Sequence, residues 1–193
     1  MDKLRVLAGI GISQGEILGL KMLESFSSFV NIKDLQHIKF VDMQNFLEVR
    51  NRRLYLPATF IRSNALNLTI SGEHSFDNEI NYNIKVNAGQ VLADRFKRHD
   101  PGLQPKATRR NGWFNLYYRI IGTLDDYKIQ SAKRRVKSDF ELSEFRKREI
   151  QRALEAEFGP IQLIEEPADW QDVDGNNAPG EEQYLDFDLE GGE

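Results

Sequence analysis

The stretch LNLTISGEHSFDNEINYNIKV, residues 66–86, decides how this chain is read. Leu66, Leu68 and Ile70 alternate with Asn67, Thr69 and Ser71, and Ile80, Tyr82, Ile84 and Val86 alternate with Asn81, Asn83 and Lys85. A period of two puts the apolar members on one side of a strand and the polar members on the other. Gly72 to Asn78 between the runs reads as a turn, so the segment is an antiparallel hairpin with one greasy and one wet face.

Strand character continues on both sides. Downstream, Phe114, Leu116, Tyr118 and Ile120 share one side, Gly122 to Asp126 supplies a turn, and Tyr127 to Gln130 returns as a short strand. Upstream, Ile38 to Val49 and Leu54 to Ile61 read as strands joined by the polar turn Arg50-Asn51-Arg52-Arg53. Pro57 cannot donate a ladder hydrogen bond, which predicts an edge strand or a break there. Gly9 to Ile17 alternates as a further strand, with small residues where backbones approach closely.

Helices flank the strands. Met22, Leu23, Phe26, Phe29 and Val30 form an apolar stripe at helical spacing, and a short helical piece is expected around Val91 to Phe96. Lys97 to Gly112 carries Pro, Gly and mixed charge without periodicity and reads as a mobile loop. Ser138-Asp-Phe-Glu141 is a capping-box pattern, which starts a charged helix that Gly159-Pro160 ends near Phe158. The fold class expected is α+β: a curved, mainly antiparallel β-sheet with an N-terminal amphipathic helix and a C-terminal charged helix. It would occupy residues 1–159, with residues 160–193 an acidic disordered tail.

Composition sets the outer bounds. A chain of 193 residues, 40% hydrophobic and 29% charged, can bury one substantial core. No run approaches a membrane-spanning length, and the N-terminus lacks the apolar region and cleavage site of a signal peptide. The absence of cysteine removes disulfides, thiolate metal sites and thiol nucleophiles. The net charge of -4 hides a division: all 26 Lys and Arg lie at or before Ile164, whereas Glu165 to Glu193 holds 11 acids and no base. The body is basic and the tail acidic.

Little points to catalysis, and no enzyme activity, metal or cofactor is expected. His37, His74 and His99 stand apart, with no partner at helical ligand spacing. Gly9, Gly11 and Gly15 only approximate a dinucleotide fingerprint, since Gln14 occupies the third glycine's place. Asp125-Asp126 is a turn pair, because a catalytic dyad needs carboxylates converging from separate elements.

The basic run Lys133, Arg134, Arg135 and Lys137 reads either as a solvated connection into the last helix or as a contact for anionic head groups, each charge contributing about 1 kcal/mol at a membrane surface. Nucleic acid is disfavoured, since no aromatic residues interleave with these bases. The apolar stripes present the main choice. They form a plain core if the helix of Met22 to Val30 covers them, or an acyl-binding groove if part of the face stays open.

The order of several blocks carries a family resemblance: Gly15-Glu-Ile-Leu-Gly-Leu20 ahead of a Phe-rich helix, Ile38-Lys-Phe40, Leu54-Tyr-Leu-Pro57, Ile61 to Gly72, His74-Ser-Phe-Asp77, Ile80 to Lys85, and Ile120-Ile-Gly-Thr-Leu-Asp-Asp126. Over roughly Gly9 to Gly159 the chain resembles the C-terminal region of AsmA-like proteins, the group that includes TamB. Tyr127 departs from the family's Pro after the acidic turn, Arg109 and Arg110 enlarge a loop, and the acidic tail is outside the shared pattern.

The resemblance implies a C-terminal module of a longer periplasmic protein, held in the Gram-negative inner membrane by an N-terminal anchor that this chain lacks, and serving phospholipid transport and outer-membrane biogenesis. The expected partner is a phospholipid or other amphipathic lipid. Groove candidates are Leu66, Leu68, Ile70, Ile80, Tyr82, Ile84 and Val86, continued by Phe114, Leu116, Tyr118 and Ile120. The alternative is a module that docks the longer protein onto an outer-membrane or periplasmic protein partner through a sheet edge or the acidic tail.

Overall fold

A computed structural model describes residues 4–18, 37–41, 43–63, 67–87 and 115–163. Within them the chain forms nine strands and one helix: β1 (Arg5–Ile12), β2 (Gly15–Leu18), β3 (His37–Phe40), β4 (Met43–Arg50), β5 (Arg53–Ile61), β6 (Leu68–Ser75), β7 (Glu79–Asn87), β8 (Asn115–Thr123), β9 (Tyr127–Ser131) and α1 (Lys133–Phe158). The expected helices at Met22 to Val30 and Val91 to Phe96, the Lys97 to Gly112 loop, and nearly all of the acidic tail lie outside the described residues. So do Leu66 and Phe114.

Seven strands form one antiparallel sheet in the order β1-β4-β5-β6-β7-β8-β9, and β2 pairs with β3 in a separate ribbon. The alternation of residues 66–86 translates into register: Leu68 lies opposite Val86, Ile70 opposite Ile84, and His74 opposite Ile80. β6 runs on to Ser75, so the turn is confined to Phe76–Asn78, shorter than the sequence suggests. Asn51 and Arg52 both take positive φ, 51° and 60°, as a tight two-residue hairpin requires. Across the same end of the sheet Arg52 binds Asp77 at 2.8 Å and Arg53 binds Glu79 at 2.7 Å.

Two expectations are corrected. The stretch Gly9 to Ile17 is two strands rather than one, broken where Gln14 takes a φ of 54°. Ile38 to Val49 likewise divides into β3 and β4. Of the two outcomes expected at Pro57, the break is the one found: β5 lies between β4 and β6, but its pairing with β4 ends at Tyr55, and its pairing with β6 shifts register between Leu56 and Thr59. The missing donor therefore falls in a bulge, where no ladder bond is lost.

That bulge is satisfied by side chains. Asn45 Nδ2 donates to the carbonyls of Pro57 at 3.0 Å and Ala58 at 3.2 Å, and also to Thr59 Oγ1. The Ala58 N–H donates to Ser143 Oγ at 2.7 Å, and Lys147 Nζ donates to the Ala58 carbonyl at 3.2 Å. The irregular backbone is thus tied to α1.

α1 begins at Lys133, five residues before the capping-box serine, and its N-cap, Ala132, makes no side-chain cap bond. Tertiary contact replaces the local signal: the Ala132 N–H donates to the Tyr117 carbonyl at 3.1 Å, and Val136 is fully buried one turn later. Asp139 sits inside the helix and pairs with Arg135 at 3.2 Å. The C-terminal end is as expected, with Gly159 at a φ of 84° and its N–H on the Glu155 carbonyl at 3.0 Å.

Candidate functional site

The register assigns every strand residue to one of two faces, because directly paired residues share a face and the side chains alternate along each strand. One face carries Leu68, Ile70, Ile80, Tyr82, Ile84, Val86, Leu116, Tyr118 and Ile120 together, which unites all the described groove candidates. They belong to one cluster, joined by Ile38 of β3 and by Ile61, Tyr127 and Ile129.

Burial divides this face. Leu68, Ile80, Ile84, Val86 and Ile120 are buried, Ile120 completely, whereas Ile70, Tyr82, Leu116 and Tyr118 keep part of their surface exposed. Burial raises the pKa of both tyrosine hydroxyls, Tyr82 and Tyr118, above the ordinary value. Tyr82 Oη also lies 3.4 Å from His74 Nδ1.

The apolar face extends further than the hairpins singled out in the sequence. Pairing of β1 with β4 places Val6, Ala8, Ile10 and Ile12 on the same side as Leu47 and Val49, which the β4–β5 register connects through Leu54 to His74 of β6. Val6 and Ile12 are 41% and 42% exposed. Their alternation was present in the sequence as Val-Leu-Ala-Gly-Ile-Gly-Ile. The part from Gly9 to Ile12 belongs to the strand read from the sequence, whereas Leu7, apolar but on the opposite face, obscures the alternation between Val6 and Ala8.

The opposite face was expected to be wet. It is instead the side on which α1 packs: Ile150 and Leu154 join Phe46 and Tyr55 in a second core cluster, flanked by Leu7, Ile161 and Leu163. Thr69, Ser71, Asn83 and Lys85, the polar partners of the greasy residues, are buried on this side, as is Ser143 of the helix. Polar side chains are buried without a large penalty when hydrogen-bonded, although Asn83 Oδ1 finds no hydrogen-bond partner among the described residues, and a helix with few apolar residues suits a polar face better than a greasy one.

An ion cluster fixes this packing. The Glu48 carboxylate, 1% exposed, accepts from Arg5 Nε at 2.8 Å and Arg146 Nε at 2.7 Å. The Arg146 guanidinium lies 3.6 Å from the Tyr55 ring centroid and 3.6 Å from Glu73 Oε1. Burial by itself raises the Glu48 pKa, but the hydrogen bonds from Arg146 and Arg5 outweigh it, and the net effect is a lowered value. No local pattern signals this cluster, because Glu48 and Arg146 are 98 residues apart.

The basic run lies in the first turns of α1 rather than in a connection. Lys133, Arg134 and Arg135 are exposed, Arg135 toward Asp139, while Lys137 Nζ sits 5.9 Å above the Tyr117 ring on the polar face. These bases therefore lie on the side of the sheet opposite the greasy cluster. Among the described residues no group of His, Asp and Glu is arranged to hold a metal ion, and no helix is long and apolar enough to cross a membrane.

Comparisons with protein-family models, curated proteins and solved structures give no match to this chain.

Proposed function

We propose that this chain is the C-terminal module of a periplasmic AsmA-like protein that binds acyl chains on its apolar sheet face, in phospholipid transport and outer-membrane biogenesis. The observation that carries this reading is the sidedness of the sheet. The greasy residues of β5 to β9 pack as one cluster on one side of the seven-stranded sheet, and α1 occupies the other side.

In this reading the sheet is curved, with the greasy face concave. Gly72 and Gly122, at φ 155° and 133°, and the bulge at Pro57–Ala58 are the kink positions that such curvature uses. The half-exposed Ile70, Tyr82, Leu116 and Tyr118 line the concavity, while the buried Ile84 and Ile120 form its floor. Each acyl methylene removed from water contributes about 0.8 kcal/mol, so ten contribute about 8 kcal/mol before the costs of immobilisation.

Site-specific photo-crosslinking tests the reading. A photoreactive amino acid placed at Ile70 or Leu116 is expected to capture phospholipid in cells, while one at Gln130, exposed on the other face, is not. Equal capture at all three sites, or none, overturns it.

The second reading is a protein-docking module for an envelope partner. It is favoured by Leu142 and Phe145, which are 65% and 57% exposed on the outer side of α1. It requires a lipid-free protein whose partner is lost on Phe145→Asp.

A further inference from the structure

Two polar side chains stand together on the greasy face. His74 of β6 lies opposite Leu54 of β5 and Ile80 of β7, so its imidazole belongs to that face. Tyr82 Oη lies 3.4 Å from His74 Nδ1, and neither side chain has another hydrogen-bond partner among the described residues. Both residues are half-buried, and each keeps part of its surface in water.

A glycine places the pair. Gly72 stands opposite Tyr82, and a Cβ there would lie 2.6 Å from Tyr82 Cδ1, so the ring lies across the bare backbone of β6. That carries the hydroxyl from β7 to the imidazole two residues along the neighbouring strand. Burial raises the pKa of this hydroxyl, which therefore stays protonated and able to donate.

The surroundings favour an anion. Along the seven strands the greasy face carries no Asp, Glu, Lys or Arg among the described residues, its other titratable groups are Tyr118 and Tyr127, and β3 adds the apolar Ile38. His74 is thus the group of this face that can become cationic, with no carboxylate of the face to neutralise it. A neutral imidazole and a phenol have two donors between them and use one in their mutual bond; a protonated imidazole leaves two free, the Nε2–H and the hydroxyl. Two free donors on an apolar face match an oxyanion attached to a hydrocarbon chain.

Resting on the acyl-binding reading, we infer that His74 and Tyr82 hold the acidic head of the bound amphiphile, a phosphate or a carboxylate. Its chain lies over Ile70, Ile84 and Tyr118, which pair across β6, β7 and β8.

Calorimetric titration of the full chain with decanoate, decyl phosphate and decan-1-ol, each below its micelle concentration and at about pH 6, tests the assignment. The wild-type protein is expected to bind at least one of the two acids about tenfold more tightly than the alcohol. The preferred acid identifies the head, decanoate for a fatty acid and decyl phosphate for a phospholipid. Tyr82→Phe and His74→Leu should each reduce that preference to about twofold or less while leaving the affinity for decan-1-ol unchanged. An alcohol bound as tightly as both acids, or a preference that survives both substitutions, overturns the inference and leaves the acyl site standing. Failure of all three compounds to bind refutes the acyl-binding reading itself, and the head assignment with it.

Discussion

Arg146→Met is the sharpest perturbation of the helix-to-sheet attachment. Methionine keeps an aliphatic stem over Tyr55 but removes the charge-assisted bond to Glu48, whose carboxylate is 1% exposed. A hydrogen bond to a buried charge is worth about 1.5–3 kcal/mol, and a partly desolvated cation over a ring adds about 1 kcal/mol. Arg5 still supports the carboxylate, so full loss of a buried pair, about 3–5 kcal/mol, is an upper limit. The expected cost is about 3 kcal/mol, which for a domain of this size lowers Tm by about 6–12 °C. Arg5→Met should cost only about 1 kcal/mol, because Arg5 is 49% exposed and its pair is screened by water. Chemical denaturation of both single variants, of Glu48→Gln and of the Glu48/Arg146 double variant supplies a double-mutant cycle. Equal costs for Arg5→Met and Arg146→Met, with a Glu48–Arg146 coupling below about 0.5 kcal/mol, would refute the claim that this cluster anchors α1.

Three further outcomes follow from the same geometry. Because the Glu48 pKa is lowered on folding, its contribution is present above the ordinary value of 4.5 and is lost as pH falls below it; the acid limb of a stability–pH profile should be steeper in the wild type than in Glu48→Gln. Gly72→Ala should cost about 2–3 kcal/mol in urea denaturation, since its Cβ would lie 2.3 Å from the Asn81 carbonyl oxygen and the backbone there has φ 155°. Ile84→Asp should unfold the protein, because Ile84 is 2% exposed, whereas Ile70→Asp, at a half-exposed position, should retain a native circular dichroism spectrum.

Much of the sheet was legible because its cause is local. Strict alternation over residues 68–86 fixes both the faces and the register of β6 and β7, and Arg50–Arg53 declares its own turn. The described apolar candidates share a face for the same reason: residues of equal parity on paired strands lie on one side. What was not legible depended on contacts distant in sequence. Val136 and the Tyr117 carbonyl start α1 ahead of its capping box, and Asn45, Ser143 and Lys147 let Pro57 sit in an interior strand. The side chosen by α1 was hidden as well. Strand alternation predicts which residues are greasy, but Arg146, Ser143 and Lys147 decide that the helix belongs on the polar face.

That choice of side gives the acyl-binding account its basis, and native mass spectrometry of the protein purified without detergent from Gram-negative cells tests it most directly. The account expects phospholipid bound to the folded wild-type chain and absent from folded Ile70→Asp. A folded wild-type protein that carries no lipid, by mass and by organic extraction alike, would contradict it.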